Sequence, residues 1–357
     1  MKTKTLNVFL MGLDPLGSLT PIDGILESIR WIDDASIRTI GVADDVRQSA
    51  VAMEDAFDDI LVIEGSGDER IRQFINSASH YEGLKLVIPA RVSDLEALCT
   101  ARVDLQKHGI AGVGVSIAQM HPFQQDGPEL LDIVPGPHTS WHRIESETLD
   151  EALLETLEFP VKLTTPDRIE CRLCTDQSAL EVYTERHFRT SGKPMLARSI
   201  REESSFQASC IMNSDGIPIE WTLVRELSND PCQSAWMFMD VDDECLVKRA
   251  NEIAAVLNCK GPVTISFTRS DANRTYEFDA IRFLLPCWCA LPASCGVNLV
   301  GQLIATMTGR STASRNPPGP RGRMIVFNSF DIPISSETWL KRIRSEERRV
   351  GKECRSR

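Results

Sequence analysis

The segment Thr275-Tyr-Glu-Phe-Asp-Ala-Ile-Arg-Phe283 carries the chemistry most readily read from the chain. In an extended strand successive side chains alternate between faces, so Glu277 and Asp279 share one face and Tyr276 and Phe278 the other. Two carboxylates about 7 Å apart on a rigid strand, with the Arg282 guanidinium just beyond, suit Mg²⁺ holding a polyphosphate. Arg282 adds a planar fork that fits phosphate oxygens. The same residues also fit an edge strand with a solvated acidic face, and the segment alone leaves both open.

Other reactive residue types form weaker patterns. Cys171-x-x-Cys174 has no second CxxC or His pair at zinc-finger spacing, which leaves a metal site there with little support. Cys287-Trp288-Cys289, with Cys295 nearby, lies among apolar residues and reads as buried small hydrophobes, with a reactive thiol as the alternative. The six histidines form no spaced motif, and no Ser-His-Asp context is signalled. The loop after the first apolar run, Gly12-Leu-Asp-Pro-Leu-Gly17-Ser18, is not GxGxxG, and Pro15 removes an amide that a phosphate cradle would use. A Rossmann-like scaffold whose crevice faces another domain is the alternative to a dinucleotide site.

The elements that must position these residues fall into two patterns. Residues 1–118 alternate short apolar runs (Leu6–Met11, Ile37–Val42, Ile60–Ile63, Leu86–Pro89, Ile110–Ile117) with helical periodicity, as βαβ units around a parallel sheet do. Ile22, Ile25, Leu26 and Ile29 share one helix face; Leu95, Leu98 and Val103 recur ahead of a helix-ending Gly109. Pro/Gly-rich residues 119–136 mark a boundary. Beyond it the pattern becomes antiparallel. Leu157–Thr164 and Arg168–Cys174 read as a hairpin and Ser178–Arg186 as a helix. Strands follow at Pro194–Ile200, Phe206–Asn213, Ile217–Arg225 and Ser234–Asp240, then an amphipathic helix at Glu244–Leu257, a strand pair at Gly261–Phe267 and Arg274–Phe283, and a helix at Val297–Met307. The acidic runs Glu54–Asp59 and Asp240–Glu244 read as solvated faces and a helix N-terminus.

Length and charge exclude several function classes. A chain of 357 residues suits two or three domains, and 42% apolar with 25% charged residues excludes collagen-like and wholly disordered chains. A net charge of -12 argues against a nucleic-acid partner, which needs a basic face to displace counterions. No run approaches the ~18–20 apolar residues of a membrane helix, and the first residues lack a secretory pattern. Eleven cysteines, an odd number, then read as reduced thiols of a cytoplasmic protein.

Taken together, these segments resemble the ATP-grasp superfamily, especially proteins similar to the carbamoyl phosphate synthase large subunit and its stand-alone ligase relatives. Phe159-Pro160-Val161-Lys162 resembles the strand whose lysine reaches the ATP phosphates. Met195-Leu-Ala-Arg-Ser-Ile200, then Ser204-Ser-Phe-Gln207, occupy the place that lines the adenine pocket. Asp215-Gly216 resembles the following turn, and Ala250–Phe267, with Gly261-Pro262-Val263, resembles the helix and strand beyond it. Glu277-Phe-Asp279-Ala280, one extra residue (Ile281), then Arg282-Phe283 is similar to the metal-binding motif "EINaRF", and Ser294-Cys-Gly-Val-Asn298 to the closing "aaGvn".

The resemblance implies an α/β and α+β fold: a Rossmann-like pre-ATP-grasp domain over residues 1–118, then a two-lobed ATP-grasp domain over 119–310, with lobes at about 119–190 and 191–310. Residues 311–344 form a C-terminal extension. It also implies ATP and Mg²⁺ as cofactors. Lys162, Met195, Ala197 and Glu203 would bind nucleotide, Glu277 and Asp279 the metal, and Arg282 would act on the phosphoryl group or substrate carboxylate. Substrates would be a nucleotide and a small-molecule or peptide carboxylate, with a homodimer compatible.

Departures accompany it. The family's early "DK" is Asp126-Gly127 here, and the loop Thr164-Thr-Pro-Asp-Arg-Ile169 has no glycine to cover phosphates. The adenine-side glutamate position falls on Ser204 or Ser205, a further metal-ligand position carries Ser266, and Asp279 replaces an asparagine. Two function classes follow: an ATP- and Mg²⁺-dependent carboxylate–amine or carboxylate–thiol ligase working through an acyl-phosphate, or a catalytically degenerate homologue that binds a metabolite, peptide or partner in a biosynthetic pathway. A nicotinamide- or flavin-linked Rossmann enzyme is a third.

The basic end stands apart. Lys341–Arg357 carry eight Lys/Arg and three acids, so the rest of the chain sums to -17. Residues 345–357 have no apolar periodicity and resemble translated adapter or vector read-through, which implies a non-native tail. That leaves Lys162 and Arg282 as the few positive groups near the predicted site.

Overall fold

The computed structural model describes residues 4–13, 21–34, 36–44, 56–65, 67–112, 114–116, 120, 133–165, 171–200, 203–227, 237–270, 275–310, 312 and 323–326. Met1–Val326 form one compact unit. The basic tail, Asp126-Gly127 and residues 166–170 lie outside the described residues.

Strands β1 (Leu6–Met11), β2 (Ile37–Ala43), β3 (Asp59–Val62), β4 (Leu84–Pro89) and β5 (Ile110–Ala111) build a parallel sheet in the order β3-β2-β1-β4-β5. Every residue of central β1 is buried, including polar Asn7, whose Nδ2 donates to Glu82 O at 2.8 Å. The Pro21–Arg30 helix buries Ile22, Ile25, Leu26 and Ile29 together. Leu95 and Leu98 are buried, but Val103 is 62% exposed, against expectation. The apolar stripe continues instead at Leu105, about two turns after Leu98, whereas Val103 lies five residues on and roughly 140° around the helix; the chain itself divides at Ala101 into helices Val92–Thr100 and Arg102–Lys107. Gly109 follows with φ +67°, the left-handed turn that stops the second helix.

The crevice at the carboxyl end of β1 holds an ion cluster. Arg91 donates from Nε to Asp94 at 2.7 Å and from Nη1 to Asp44 at 2.8 Å, and buried Arg70 pairs with both aspartates. A Cβ on Gly12 would lie 2.6 Å from Asp94 Oδ2, so glycine lets the chain pass the carboxylate. At the described residues this switch-point crevice is thus occupied by mutually paired charges. Asp94→Ala leaves Arg70 buried with half its counter-charge and is expected to cost about 3 kcal/mol, read as a lowered midpoint in urea unfolding.

A second, antiparallel sheet has the order β14-β13-β10-β11-β12-β15. Its strands are β10 (Glu203–Met212), β11 (Thr222–Glu226), β12 (Met237–Asp240), β13 (Gly261–Ser270), β14 (Tyr276–Arg282) and β15 (Met324–Val326). Alternation gives it two unlike faces. Phe206, Ala208, Cys210 and Met212 of β10, with Val263, Ile265 and Phe267 of β13, pack on Leu246, Ala250, Ile253 and Leu257 of the Glu244–Leu257 helix. Asp243 caps that helix, accepting from Cys245 N and Leu246 N at 2.9 and 3.1 Å. Ser205, Gln207 and Ser209, with Thr264, Ser266 and Thr268, alternate onto the opposite, polar face. The expected strand at Ile217–Arg225 begins only at Thr222. Ile217 and Ile219 stand exposed beside the Asn213–Gly216 turn, where Asn213 Oδ1 accepts from Asp215 N and Ile217 N.

A third sheet, β6-β9-β7-β8, comprises β6 (His142–Ile144), β7 (Val161–Thr164), β8 (Cys171–Cys174) and β9 (Met195–Ser199), all antiparallel. Val161, Leu163, Met195 and Ala197 turn to one side and pack with Leu157 and Leu180 under the Gln177–Ser191 helix.

The N-terminal layer meets the later chain at the Pro21–Arg30 helix, which lies on the short Cys287–Cys289 turn. At Gly24 a Cβ would overlap the Cys287 carbonyl oxygen and stand 3.0 Å from Cys289 Sγ. Asn298 Nδ2 donates to Ser28 O at 2.7 Å, while its Oδ1 caps the Leu299–Thr308 helix by accepting from Gly301 N at 2.9 Å. No single described helix is long and apolar enough to cross a membrane.

Candidate active site

Glu277 and Asp279 lie half-buried on the polar face of β14, and the strand contains an irregularity that decides where Arg282 goes. Phe278 pairs with Phe267, but Ala280, not Asp279, pairs with Ser266, so Asp279 and Ala280 together oppose one residue. This bulge shifts the alternation by one. Ile281 and Phe283 therefore join Phe278 in the core, and Arg282, paired with Thr264, emerges exposed on the face of the carboxylates. Without it, strict alternation would put Ile281 beside Asp279 and Arg282 in the core. The extra residue seen in the sequence is absorbed here.

Asp279 is held from the neighbouring chain. Residues 137–139 run along β14, with Phe278 N donating to Pro137 O at 3.0 Å and Thr139 N to Phe278 O at 2.8 Å. Trp141 follows and donates its indole N–H to Asp279 Oδ1 at 2.9 Å. Arg198 of β9 stacks on the Trp141 ring, 5.2 Å from its centroid, and its Nη1 lies 4.0 Å from the same Oδ1. Arg198 in turn is the cross-strand partner of Lys162 on β7, so the two cations share a face of the four-stranded sheet.

Lys162 and Arg282 both act electrostatically on Glu226, the last residue of β11, as does Asp279. Burial raises the Glu226 carboxyl above the usual carboxylate range; Asp279 adds to this, while Gln207, Lys162 and Arg282 oppose it. Gln207 Nε2 donates to Glu226 Oε1 at 2.6 Å, and its Oε1 accepts from Trp288 Nε1 at 2.6 Å. Cys287 is close enough to feel both Arg282 and Glu226, yet burial pushes its thiol up to about 12, and that of Cys289 likewise. These are protonated thiols at neutral pH, packed as small hydrophobes rather than poised as nucleophiles.

The structure thus brings Lys162, Asp279 and Arg282 to one place, with Glu277 on the same strand face. Met195 and Ala197 are elsewhere: their side chains fill the apolar cluster with Leu163 and Leu180, and Leu196 and Arg198 take the face of Lys162. Glu203 opens β10 opposite Ser270, and its side chain is outside the described residues. Glu226 and Trp141 are missed by sequence reasoning, and Gln207 and Arg198 lie in segments expected to line the adenine pocket without being singled out for a role of their own. Alternation places Glu226 on a face but cannot say which sheet stands over it.

The fold is similar to that of several solved proteins. A biotin carboxylase from Campylobacter jejuni in complex with β,γ-ATP superposes with a TM-score of 0.62 at 16% identity, over 86% of this chain and 72% of that one. An N5-carboxyaminoimidazole ribonucleotide synthetase in its ADP complex gives 0.63 at 13% identity, over 90% and 82%. The D-alanine–D-alanine ligase of Bacillus anthracis gives 0.57 at 12%, over 86% and 98%. The chain has the ATP-grasp fold. In ATP-grasp terms, the parallel sheet is the preceding Rossmann-like layer, and the four- and six-stranded sheets are the two antiparallel halves, carrying Lys162 and Asp279 respectively. The sequence matches no family profile and no curated protein.

Proposed function

We propose that this ATP-grasp protein is an ATP- and Mg²⁺-dependent ligase that joins a carboxylate to an amine or thiol through an acyl-phosphate. One observation carries the reading: Lys162 from one sheet and Asp279 and Arg282 from the other all act electrostatically on the half-buried Glu226 carboxylate, and Arg198, beside Lys162, lies 4.0 Å from Asp279. Solved proteins of this fold in complex with ADP and with MgADP support the nucleotide.

The donor set fits magnesium. Among the described residues no three His, Cys, Asp or Glu converge as a metal cage. Mg²⁺ needs none, because it is held by one or two carboxylates with phosphates and water completing the shell. Glu277 and Asp279 would hold it. When bound, MgATP supplies the γ-phosphoryl group. Lys162 and Arg198 then neutralise phosphate charge from the small sheet. Arg282, exposed at the rim, orients the transferring phosphoryl or the carboxylate that attacks it.

Calorimetric titration with ATP and Mg²⁺ tests the nucleotide site: micromolar binding is expected, and heatless titrations at high protein concentration would refute it. With a carboxylate and an amine library present, ADP and phosphate release should appear in the parent protein and vanish in Glu277→Ala. Binding without any release across the library would instead leave a binding protein.

A further inference from the structure

We propose that Gln207 and Trp288 are positioning residues that hold the Glu226 carboxylate in the site and thereby make nucleotide binding metal-dependent, a role that rests on the nucleotide reading above. An indole N–H can only donate, and Trp288 is fully buried, so it must have an acceptor. Its acceptor is Gln207 Oε1 at 2.6 Å. With its oxygen so committed, the Gln207 amide turns its NH₂ end to Glu226, again at 2.6 Å. Glu226 is thus held through one oxygen and leaves the other for the site.

The neighbours of that carboxylate decide its effect. It shares its surroundings with Asp279, Lys162 and Arg282. A triphosphate drawn to the two cations meets two carboxylates at the same place, and like charges in a poorly solvated site repel strongly. A divalent cation between carboxylate and phosphate removes the conflict. Ser266, the residue directly opposite Gln207 on β13, brings no charge. A negative charge beyond the Glu277–Asp279 pair therefore comes from β11, the strand next to that of Gln207, through Glu226.

The relay also has a definite origin. Trp288 sits in the middle of the Cys287–Cys289 turn, which is pressed against Gly24 of the Pro21–Arg30 helix. Seating of the N-terminal layer is in this way connected by one turn and two hydrogen bonds to a carboxylate of the site.

The experiment compares ATP affinity in Mg²⁺ with affinity in EDTA, by calorimetry, for the full chain and three variants. Trp288→Phe keeps a packed aromatic ring, deletes the donor and loses part of the indole volume. Gln207→Met keeps the volume and deletes both hydrogen bonds. Glu226→Gln keeps the shape and deletes the charge. The preference for the magnesium complex should fall about fivefold in Trp288→Phe and Gln207→Met and about tenfold in Glu226→Gln. Trp288→Phe combined with Glu226→Gln should fall no further than Glu226→Gln alone. A lowered melting temperature with the preference unchanged in all three would overturn the relay and assign these residues to packing. No nucleotide binding by the parent chain would overturn the relay together with the nucleotide reading. Normal parent binding with unaltered variants would overturn the relay alone.

Discussion

Replacing Asp279 with alanine is expected to weaken MgATP binding by a factor of about 100 or more while leaving the fold cooperative. Such a factor is about 2.7 kcal/mol, reasonable for losing a charged ligand to a bound cation and its neighbours' acceptor at once. The side chain accepts the Trp141 indole N–H at 2.9 Å and faces Arg198. Its removal therefore unhooks a stacked Trp–Arg pair from the site as well as deleting a carboxylate. Asp279→Asn separates these effects. Its carbonyl oxygen still accepts from Trp141 and still offers oxygen to a hard cation, and the similar ATP-grasp motif carries asparagine there. Binding within about tenfold of the parent is expected for Asp279→Asn, with the separation measured by calorimetry and melting followed by circular dichroism. Equal, small effects for both substitutions would place the cation elsewhere.

A stability effect as large as that at Asp94 is expected at Gly24, a position that carries no side chain at all. A single methyl group there overlaps the Cys287 carbonyl oxygen and crowds Cys289 Sγ. The obstacle is backbone, so no rotamer change relieves it, and the Pro21–Arg30 helix must lift from the Cys287–Cys289 turn. Separating them disturbs Asn298 on Ser28 O and the buried Trp288 together. Gly24→Ala should cost roughly 3 kcal/mol net, after the roughly 1 kcal/mol that alanine gains as a better helix former. Urea unfolding monitored by tryptophan fluorescence reads this as a shifted midpoint with an unchanged slope. A stability equal to the parent's would mean that the helix slides at little cost.

The antiparallel half of the fold is largely legible because its alternation is clean. In β10 the run Phe206, Ala208, Cys210, Met212 against Ser205, Gln207, Ser209 sets a buried face and a polar face, and Glu277 with Asp279 follows the same rule in β14. Capping is equally local: Asp243, Asn298, Gly109 and Gly309 each satisfy or terminate a helix end with a group supplied by their own neighbourhood. Two placements differ from expectation. Val103 points outward because it lies five residues beyond Leu98, off the stripe that Leu105 continues, and Met195 and Ala197 point away from Lys162 because β9 pairs with β7 in a register that aligns Arg198 with it. A register is a relation between two strands, so neither strand's sequence contains it.

The Glu277–Asp279 pair, the strand lysine Lys162 and the acidic balance of the chain were determined by the sequence alone, since each depends on residue type and short spacing. Three things were decided only by tertiary structure. The bulge opposite Ser266 carries Arg282 to the carboxylate face, because absorbing one extra residue requires a partner strand to oppose it. The small sheet places Lys162 and Arg198 over β11 and β14, because packing of whole layers fixes which faces meet. Glu226 enters the site through Gln207 and Trp288, residues 19 and 81 positions apart from their respective partners, and contacts of that range exist only once the chain has folded.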